Sequence, residues 1–315
     1  MNDVLIETQE LCKYFKTRNG LLHAVDHVDV AIPKGRTLGV VGESGCGKTT
    51  LGRLMVRLLE PTSGDILYKG NSILSLSEDE LRRARQKIQI IFQDPYASLN
   101  PRMTVRQIIA EPLRAFDIMK ERKALDKKVT ELMDTVGLAQ RFRDSYPHEL
   151  DGGRRQRVGI ARALSVNPEF VVCDEPVSAL DVSIQAQILN LLMDLQESSV
   201  LTYMFISHDL SVVRHISSEV MVMYLGQCVE TAPTHKLFEN PLHPYTKALL
   251  EAIPIPRLTD RPKRAVIKGE VTSPVNPKPG CRFAPRCPMV TDECTADKVP
   301  LRELAPGHLV ACVRL

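Results

Sequence analysis

Eight residues, "GESGCGKT" from Gly42 to Thr49, restrict what this chain can fold into more than any other stretch. They fit G-x-x-x-x-G-K-[ST], a loop whose glycines let backbone N–H groups curl around phosphate oxygens with no Cβ in the way. Such a loop belongs between a buried strand and a helix N-terminus, and both are legible. "TLGVV", Thr37 to Val41, is a continuous apolar run, as in a strand covered on both faces. Leu51, Leu54, Met55, Leu58 and Leu59 follow at helical spacing, and "EPTSG" is expected to stop that helix. Lys48 is placed to reach the β- and γ-phosphates, and the Thr49 hydroxyl to ligate Mg²⁺. Glu43, Ser44, Gly45, Gly47 and Thr50 complete the loop. Cys46 falls at a variable position and is given no chemistry.

The rest of the chain extends the same α/β pattern. "HVDVAIPKG" alternates Val28, Val30 and Ile32 on one face, as in a half-buried strand. "KIQIIF", "FVVCDE", "TYMFISH" and "EVMVMY" read as further strands, and helical patterns dominate from about Asp94 to Leu164. Alternation of strand and helix implies a mostly parallel sheet. The strand "FVVCDE" lifts Asp174 and Glu175 to its end. An acidic pair there is commonly a helix cap or a solvated loop. With a phosphate loop upstream, Asp174 becomes a candidate for the Mg²⁺ shell and Glu175 a candidate general base. His208 ends "FISH", at the strand end where ligands bind in open α/β sheets. Gln93 follows "IIF". Each is weak alone and gains from its order among the other motifs.

Composition narrows the class. The 315 residues are 43% hydrophobic, with 41 basic against 38 acidic side chains and a net charge of +3. That near-balance argues against a nucleic-acid coat. No apolar run approaches the roughly 20 residues needed to span a bilayer. "MNDVLIETQE" has no basic-then-apolar signal, so a cytosolic protein is expected. Eight cysteines then suggest thiols or metal ligands rather than disulfides. From about Ile253 the texture changes: Pro254, Pro256, Pro262, Pro274, Pro277 and Pro279 precede a cysteine-bearing tail, and a boundary is placed there.

One stretch raises a question of its own. In "PHELDGGRRQRVGIARAL", Pro147 to Leu164, two glycines open a helix that carries four arginines. Such a helix start suits an anion, yet an acidic residue, Asp151, stands immediately before Gly152 and Gly153.

In these motifs the chain resembles the ATP-binding cassette (ABC) family of transporter ATPases, from about Leu5 to Leu250. Gly42–Thr49 resembles Walker A, Gln93 the Q-loop glutamine, and "LDGGR" the signature. "FVVCDE" resembles Walker B, "SALD" (Ser178 to Asp181) the D-loop, and His208 the switch histidine. In "LCKYF", Tyr14 or Phe15 matches the aromatic that stacks on adenine, Phe15 with the better spacing. The resemblance implies a P-loop NTPase (RecA-like) nucleotide-binding domain over residues 1–252, with an antiparallel β subdomain and a helical subdomain at about 94–164. A small cysteine-containing extension would occupy 253–315. It implies ATP and Mg²⁺ as cofactors, with Thr49, Gln93 and Asp174 on the metal.

"NPLHPYTKALLEAIP", "PGCRFAPRC", "HLVAC" and "FQDPYASLNPRMTV" are closer still to the dipeptide and oligopeptide importer ATPases, and to the second of their two ATP-binding subunits. By that resemblance the partners are a non-identical second ATPase subunit, two transmembrane permeases and, indirectly, an extracytoplasmic peptide-binding protein. The chain would then sit peripherally on the cytoplasmic face of the cell (inner) membrane, with no nucleic-acid role. Nickel importers share these motifs and remain an alternative. A soluble cassette of DNA maintenance would need a long coiled coil before the signature, and no sustained heptads are present; a translation factor would carry two cassettes.

Two expectations follow from the resemblance. Family members pair head-to-tail, so Asp151, Gly152, Gly153 and Arg154 would face the partner's nucleotide. The family has Ser where Asp151 stands and Gln where Arg154 stands, and an ionised Asp only accepts hydrogen bonds. Unequal ATP sites are therefore expected, unless Arg154 compensates by pairing with Asp151 or with phosphate. Cys281, Cys287, Cys294 and Cys312, spaced C-x₅-C-x₆-C-x₁₇-C, can hold a [4Fe–4S] cluster, as some members of the subfamily do. Zinc, or no ligand at all, are the alternatives.

Overall fold

The structure, a computed structural model, describes residues 3–252 and 273–315. The boundary expected at Ile253, with Pro254, Pro256 and Pro262, lies outside the described residues. Along the chain come β1 (Val4–Thr17), β2 (Gly20–Pro33), β3 (Thr37–Val41), α1 (Lys48–Met55), β4 (Ser63–Tyr68), β5 (Asn71–Ser72), α2 (Glu78–Lys87) and β6 (Ile88–Ile91). Then follow α3 (Pro95–Ser98), α4 (Val105–Ala115), α5 (Arg122–Thr135), α6 (Gly152–Leu164), β7 (Phe170–Asp174), α7 (Val182–Ser199) and β8 (Thr202–Ile206). The last are α8 (Leu210–Ile216), β9 (Glu219–Tyr224), β10 (Gln227–Pro233), α9 (Thr234–Glu239), α10 (Pro244–Glu251), β11 (Arg302–Ala305) and β12 (His308–Val310).

The chain divides into two compact units, Met1–Ile6 with Ile32–Arg36 and Tyr68–Met204, and Glu7–Ala31 with Thr37–Leu67 and Phe205–Leu315. In the first unit, β6 and β7 pair in parallel, Ile88 opposite Phe170 and Ile91 opposite Cys173. Every residue of β7 is buried, as its unbroken apolar run requires. Helices α4, α5 and α6 pack on one another. Each turns an apolar stripe inward: Val105, Ile108, Ile109 and Leu113 on α4; Leu125, Val129, Leu132 and Met133 on α5. A reciprocal cap starts α4, with Gln107 N–H donating to Thr104 Oγ1 at 3.4 Å and Thr104 N–H to Gln107 Oε1 at 2.8 Å. The helical stretch expected at about 94–164 is thus α3 to α6.

In the second unit the strands run β11-β12-β10-β9-β3 across one sheet, and β2-β1-β4 across another. β3 is parallel to β9, Val40 opposite Met221. β10 is antiparallel to both β9 and β12. On β2, Val28, Val30 and Ile32 are buried and Asp29 and Ala31 exposed, which is the alternation read from sequence. One correction applies. The helix after the phosphate loop ends at Met55, and Leu58 is 51% exposed, so its apolar run outlasts the helix. In the tail after residue 272, β12 extends the β9–β10 pair, and Leu21 N–H donates to Asn276 Oδ1 at 2.8 Å. Among the described residues, no helix is long and apolar enough to cross a membrane.

Candidate nucleotide site and signature helix

The second unit carries the phosphate loop. Buried β3 ends at Val41, and the chain turns through Gly42 (φ +151°), Gly45 (φ +77°) and Gly47 (φ +107°) into α1. Gly47 caps α1 with no side chain and no acidic residue lies in the first turn, so the helix start keeps its positive character. A Cβ at Gly47 would stand 2.1 Å from the Ala24 carbonyl oxygen, so the turn admits only glycine. The loop is braced from outside: Gly226 N–H donates to Cys46 O at 2.8 Å, and Asp26 N–H to Gly226 O at 2.9 Å.

Lys48 is 5% exposed, and its Nζ donates to Gly42 O at 2.8 Å and Glu43 O at 3.0 Å. A buried ammonium held among the described residues by two carbonyls and the Cys46 sulfur is poised for an anion. Burial pushes the Cys46 thiol up in spite of Lys48, which keeps it protonated. Tyr14 is committed elsewhere, its hydroxyl on Asp26 and its ring stacked on His23 at 4.1 Å. Phe15 stays half-exposed beneath Lys13 Nζ, 5.2 Å from its centroid. His208 is exposed just beyond β8, and Asp209 caps α8 beside it.

The first unit carries the carboxylates. Asp174 is 2% exposed at the end of β7. Glu175 follows in the left-handed region at φ +45°, uncommon for a non-glycine, and is half-buried. Gln93 Nε2 donates to Glu175 Oε2 at 2.9 Å, joining residues 82 apart in sequence. Ser178 folds back on the same residue, its Oγ donating to Glu175 O at 3.1 Å.

Asp151 is the N-cap of α6. Its Oδ1 accepts from Arg154 N–H at 2.8 Å, and its Oδ2 pairs with Arg154 Nη1 at 2.8 Å. The acidic residue thus satisfies an orphan helix donor. The arginine three residues on balances its charge, and its guanidinium lies 4.6 Å from the Phe142 ring centroid. A Cβ on Gly153 would come 2.6 Å from Ile184 Cγ2, and one on Gly152 would come 3.1 Å from Leu180 Cδ2. Gly152 and Gly153 therefore pack closely against Leu180 and Ile184 within this unit.

All eight cysteines are free thiols. In the tail, Cys281 N–H donates to Cys294 O at 2.7 Å. Burial pushes the Cys281 thiol up, with smaller contributions from Cys287 and Cys294. Burial does the same to Cys287, with Cys312 and Cys294 contributing. Among the described residues no three of these sulfurs lie within 4.8 Å of one another. Cys12, Asp26 and His27 do bring donor atoms that close, but the Asp26 carboxylate is already engaged by Tyr14, Arg282 and Gln227.

Sequence reasoning missed two residues that hold the phosphate loop. Tyr245 Oη accepts from Glu43 N–H at 2.9 Å, and Arg286 makes two bonds to the Glu43 carboxylate. No local pattern links positions 202 and 243 residues apart.

Comparison with known proteins adds a second line. The family described as "ABC transporter" matches residues 25–178, and "Oligopeptide/dipeptide transporter, C-terminal region" matches 229–294. The chain is 53% identical to the oligopeptide transport ATP-binding protein AppF of Bacillus subtilis, over 98% of this chain and 97% of that one. It is 49% identical to the dipeptide transport ATP-binding protein DppF of Haemophilus influenzae, over 100% of this chain and 98% of that one. A dimeric ATP-binding cassette solved in a post-hydrolysis state with ADP and Pi superposes with a TM-score of 0.67 at 27% identity, over 73% of this chain and 99% of that one.

Proposed function

The chain belongs to the ATP-binding cassette transporter ATPases, and on that premise we propose that it is the ATP-hydrolysing subunit powering uptake of di- and oligopeptides. The observation that carries the hydrolytic part is the Gln93–Glu175 hydrogen bond at the end of β7. It orients a half-buried carboxylate that can take a proton from attacking water. The glycine loop and the buried Lys48 ammonium receive the phosphates. Thr49, Gln93 and Asp174 offer the hard oxygen donors that Mg²⁺ takes, and the bound ion would neutralise phosphate charge. Phe15 is the ring for adenine, and His208 the contact to the terminal phosphate. The peptide part is supported by the shared C-terminal region and by the relatives' transport of oligopeptides and dipeptides.

Importer ATPases of this kind work with permease subunits and a binding protein. We take the second ATPase subunit to be a non-identical paralogue, the α3–α6 region to engage two permeases, and the complex to sit on the cytoplasmic face of the cell membrane. Functionally, residues 1–252 are the ATPase and 253–315 its extension. The test is the transporter in vesicles. Glu175→Gln should bind ATP normally and lose about 10²–10⁴-fold in turnover, together with uptake of labelled dipeptide. Near-normal hydrolysis removes the general-base role; uptake of nickel but not of peptide replaces the substrate.

For the tail we propose a [4Fe–4S] cluster on Cys281, Cys287, Cys294 and Cys312. The tail brings Cys281 and Cys294 together, Cys281 N–H donating to Cys294 O at 2.7 Å, and four thiolates are the usual ligand set of such a cluster. Such a cluster would hold together a segment with little core of its own. Protein prepared without oxygen should be brown and contain about four iron atoms per chain. Colourless, iron-free protein refutes the cluster.

A further inference from the structure

Glu43, the second residue of the phosphate loop, is held from three sides. Its carboxylate receives both prongs of one guanidinium: Arg286 Nη1 donates to Oε2 at 2.8 Å and Arg286 Nη2 to Oε1 at 3.0 Å. Its N–H donates to Tyr245 Oη at 2.9 Å, and its carbonyl accepts from Lys48 Nζ at 3.0 Å. The Arg286 side chain is 7% exposed and that of Glu43 25%, so water and salt screen the pair poorly. Its surroundings are stiff. Tyr224 meets Tyr245 and Phe283 edge-on at centroid distances of 4.7 and 5.3 Å, Tyr245 and Phe283 are tilted at 5.3 Å, and Arg286 Nη1 also donates to Tyr224 Oη at 3.3 Å. Two-pronged pairing fixes orientation as well as distance, which a lysine in the same place would not do.

Anchoring the tail does not account for this pair, because other contacts already do that. Arg282 bonds Leu225 O and Asp26 Oδ2. β12 pairs with β10, and His308 Nε2 lies 2.7 Å from Glu230 Oε1 in the interior. Arg286 alone among these reaches a residue whose own carbonyl holds the Lys48 ammonium. Resting on the assignment of Gly42–Thr49 as the ATP loop, we propose that Arg286 is a positioning residue for that loop: its clamp on Glu43 sets the backbone around Lys48, so that affinity for ATP depends on the C-terminal tail.

The experiment uses the full chain assembled with its permeases and partner ATPase, and measures KM and kcat for ATP together with equilibrium MgATP binding. Arg286→Gln should raise KM and Kd for MgATP about tenfold, with kcat within about twofold, and Glu43→Gln should raise Kd for MgATP to a similar extent. The double variant should be no worse than either single one, because both remove the same clamp. Arg286→Lys keeps the charge but loses the fork, and should raise KM about threefold; it serves as the probe if Arg286→Gln does not fold. Exchanging the charges, with Glu43→Arg and Arg286→Glu together, should recover part of the loss. A folded Arg286 variant with a lower melting temperature but unchanged KM and Kd would mean anchoring only, and overturns the proposal. Single effects that multiply in the double variant overturn it as well. Lys48→Ala separates the two levels: if it binds MgATP like the wild type, the ATP-loop assignment has failed rather than the clamp.

Discussion

Asp151 shows how one residue answers to local and distant demands together. Locally it is a good choice, since its carboxylate caps α6 and pairs with Arg154. Removing the cap with Asp151→Ala should cost about 1 kcal/mol of stability, while Asp151→Ser, which also caps, should stay within about 0.5 kcal/mol in urea unfolding. Equal losses for the two would mean that the cap contributes nothing. The ion pair adds little of its own, with side chains 42% and 57% exposed. The sequence showed the oddity of an acid before two glycines. It did not show the cap, because capping is a matter of backbone direction at one helix start.

Among the elements, the turn from α9 into α10 carries the clearest pH dependence. Glu230, fully buried on β10, accepts from Leu242 N–H at 2.8 Å and His243 N–H at 2.9 Å, and His308 of β12 meets it from the tail. His243 caps α10, its Nδ1 accepting from Tyr245 N–H at 3.1 Å, and burial lowers its pKa to about 4. A protonated ring would lose that acceptor. The folded state therefore refuses a proton that the unfolded chain accepts near pH 6.5, so stability should fall as pH drops from 6.5 to 4, by up to about 3 kcal/mol. His243→Asn keeps an acceptor and should flatten melting temperature against pH in that window; an unchanged slope would place the dependence elsewhere. Element legibility varied for similar physical reasons. β3 and β7 were plain because strands buried on both faces must be apolar throughout. α2 was missed because it buries no residue and so has no periodic stripe, although its capping box, Ser77 with Glu80, lies in the open as "SEDE". β11 is exposed along its whole length and left no pattern either.

For the whole molecule, the head-to-tail pairing of the family turns the Asp151 question into one of asymmetry. The ATP site completed by this chain's Asp151–Arg154 pair should turn over more slowly than the one that uses this chain's own phosphate loop. Disabling the general base of the partner ATPase should then cost the complex less than Glu175→Gln does here, and Asp151→Ser with Arg154→Gln should raise turnover. Equal costs from the two knockouts, with no effect of the restored signature, would show that Arg154 balances the acid fully. By itself the sequence determined the class of fold, the phosphate loop, the order of the motifs and the candidate thiols, because each is written in short contiguous stretches whose chemistry is local. Only the tertiary structure decided that Gln93 holds Glu175, that Asp151 is neutralised by its own helix, and that Arg286 reaches back to Glu43. Gln93–Glu175 and Arg286–Glu43 join positions whose chain separation leaves no periodicity, and they exist only once buried strands and helices have brought them together; the Asp151–Arg154 pair is local, but depends on the backbone direction at the start of α6.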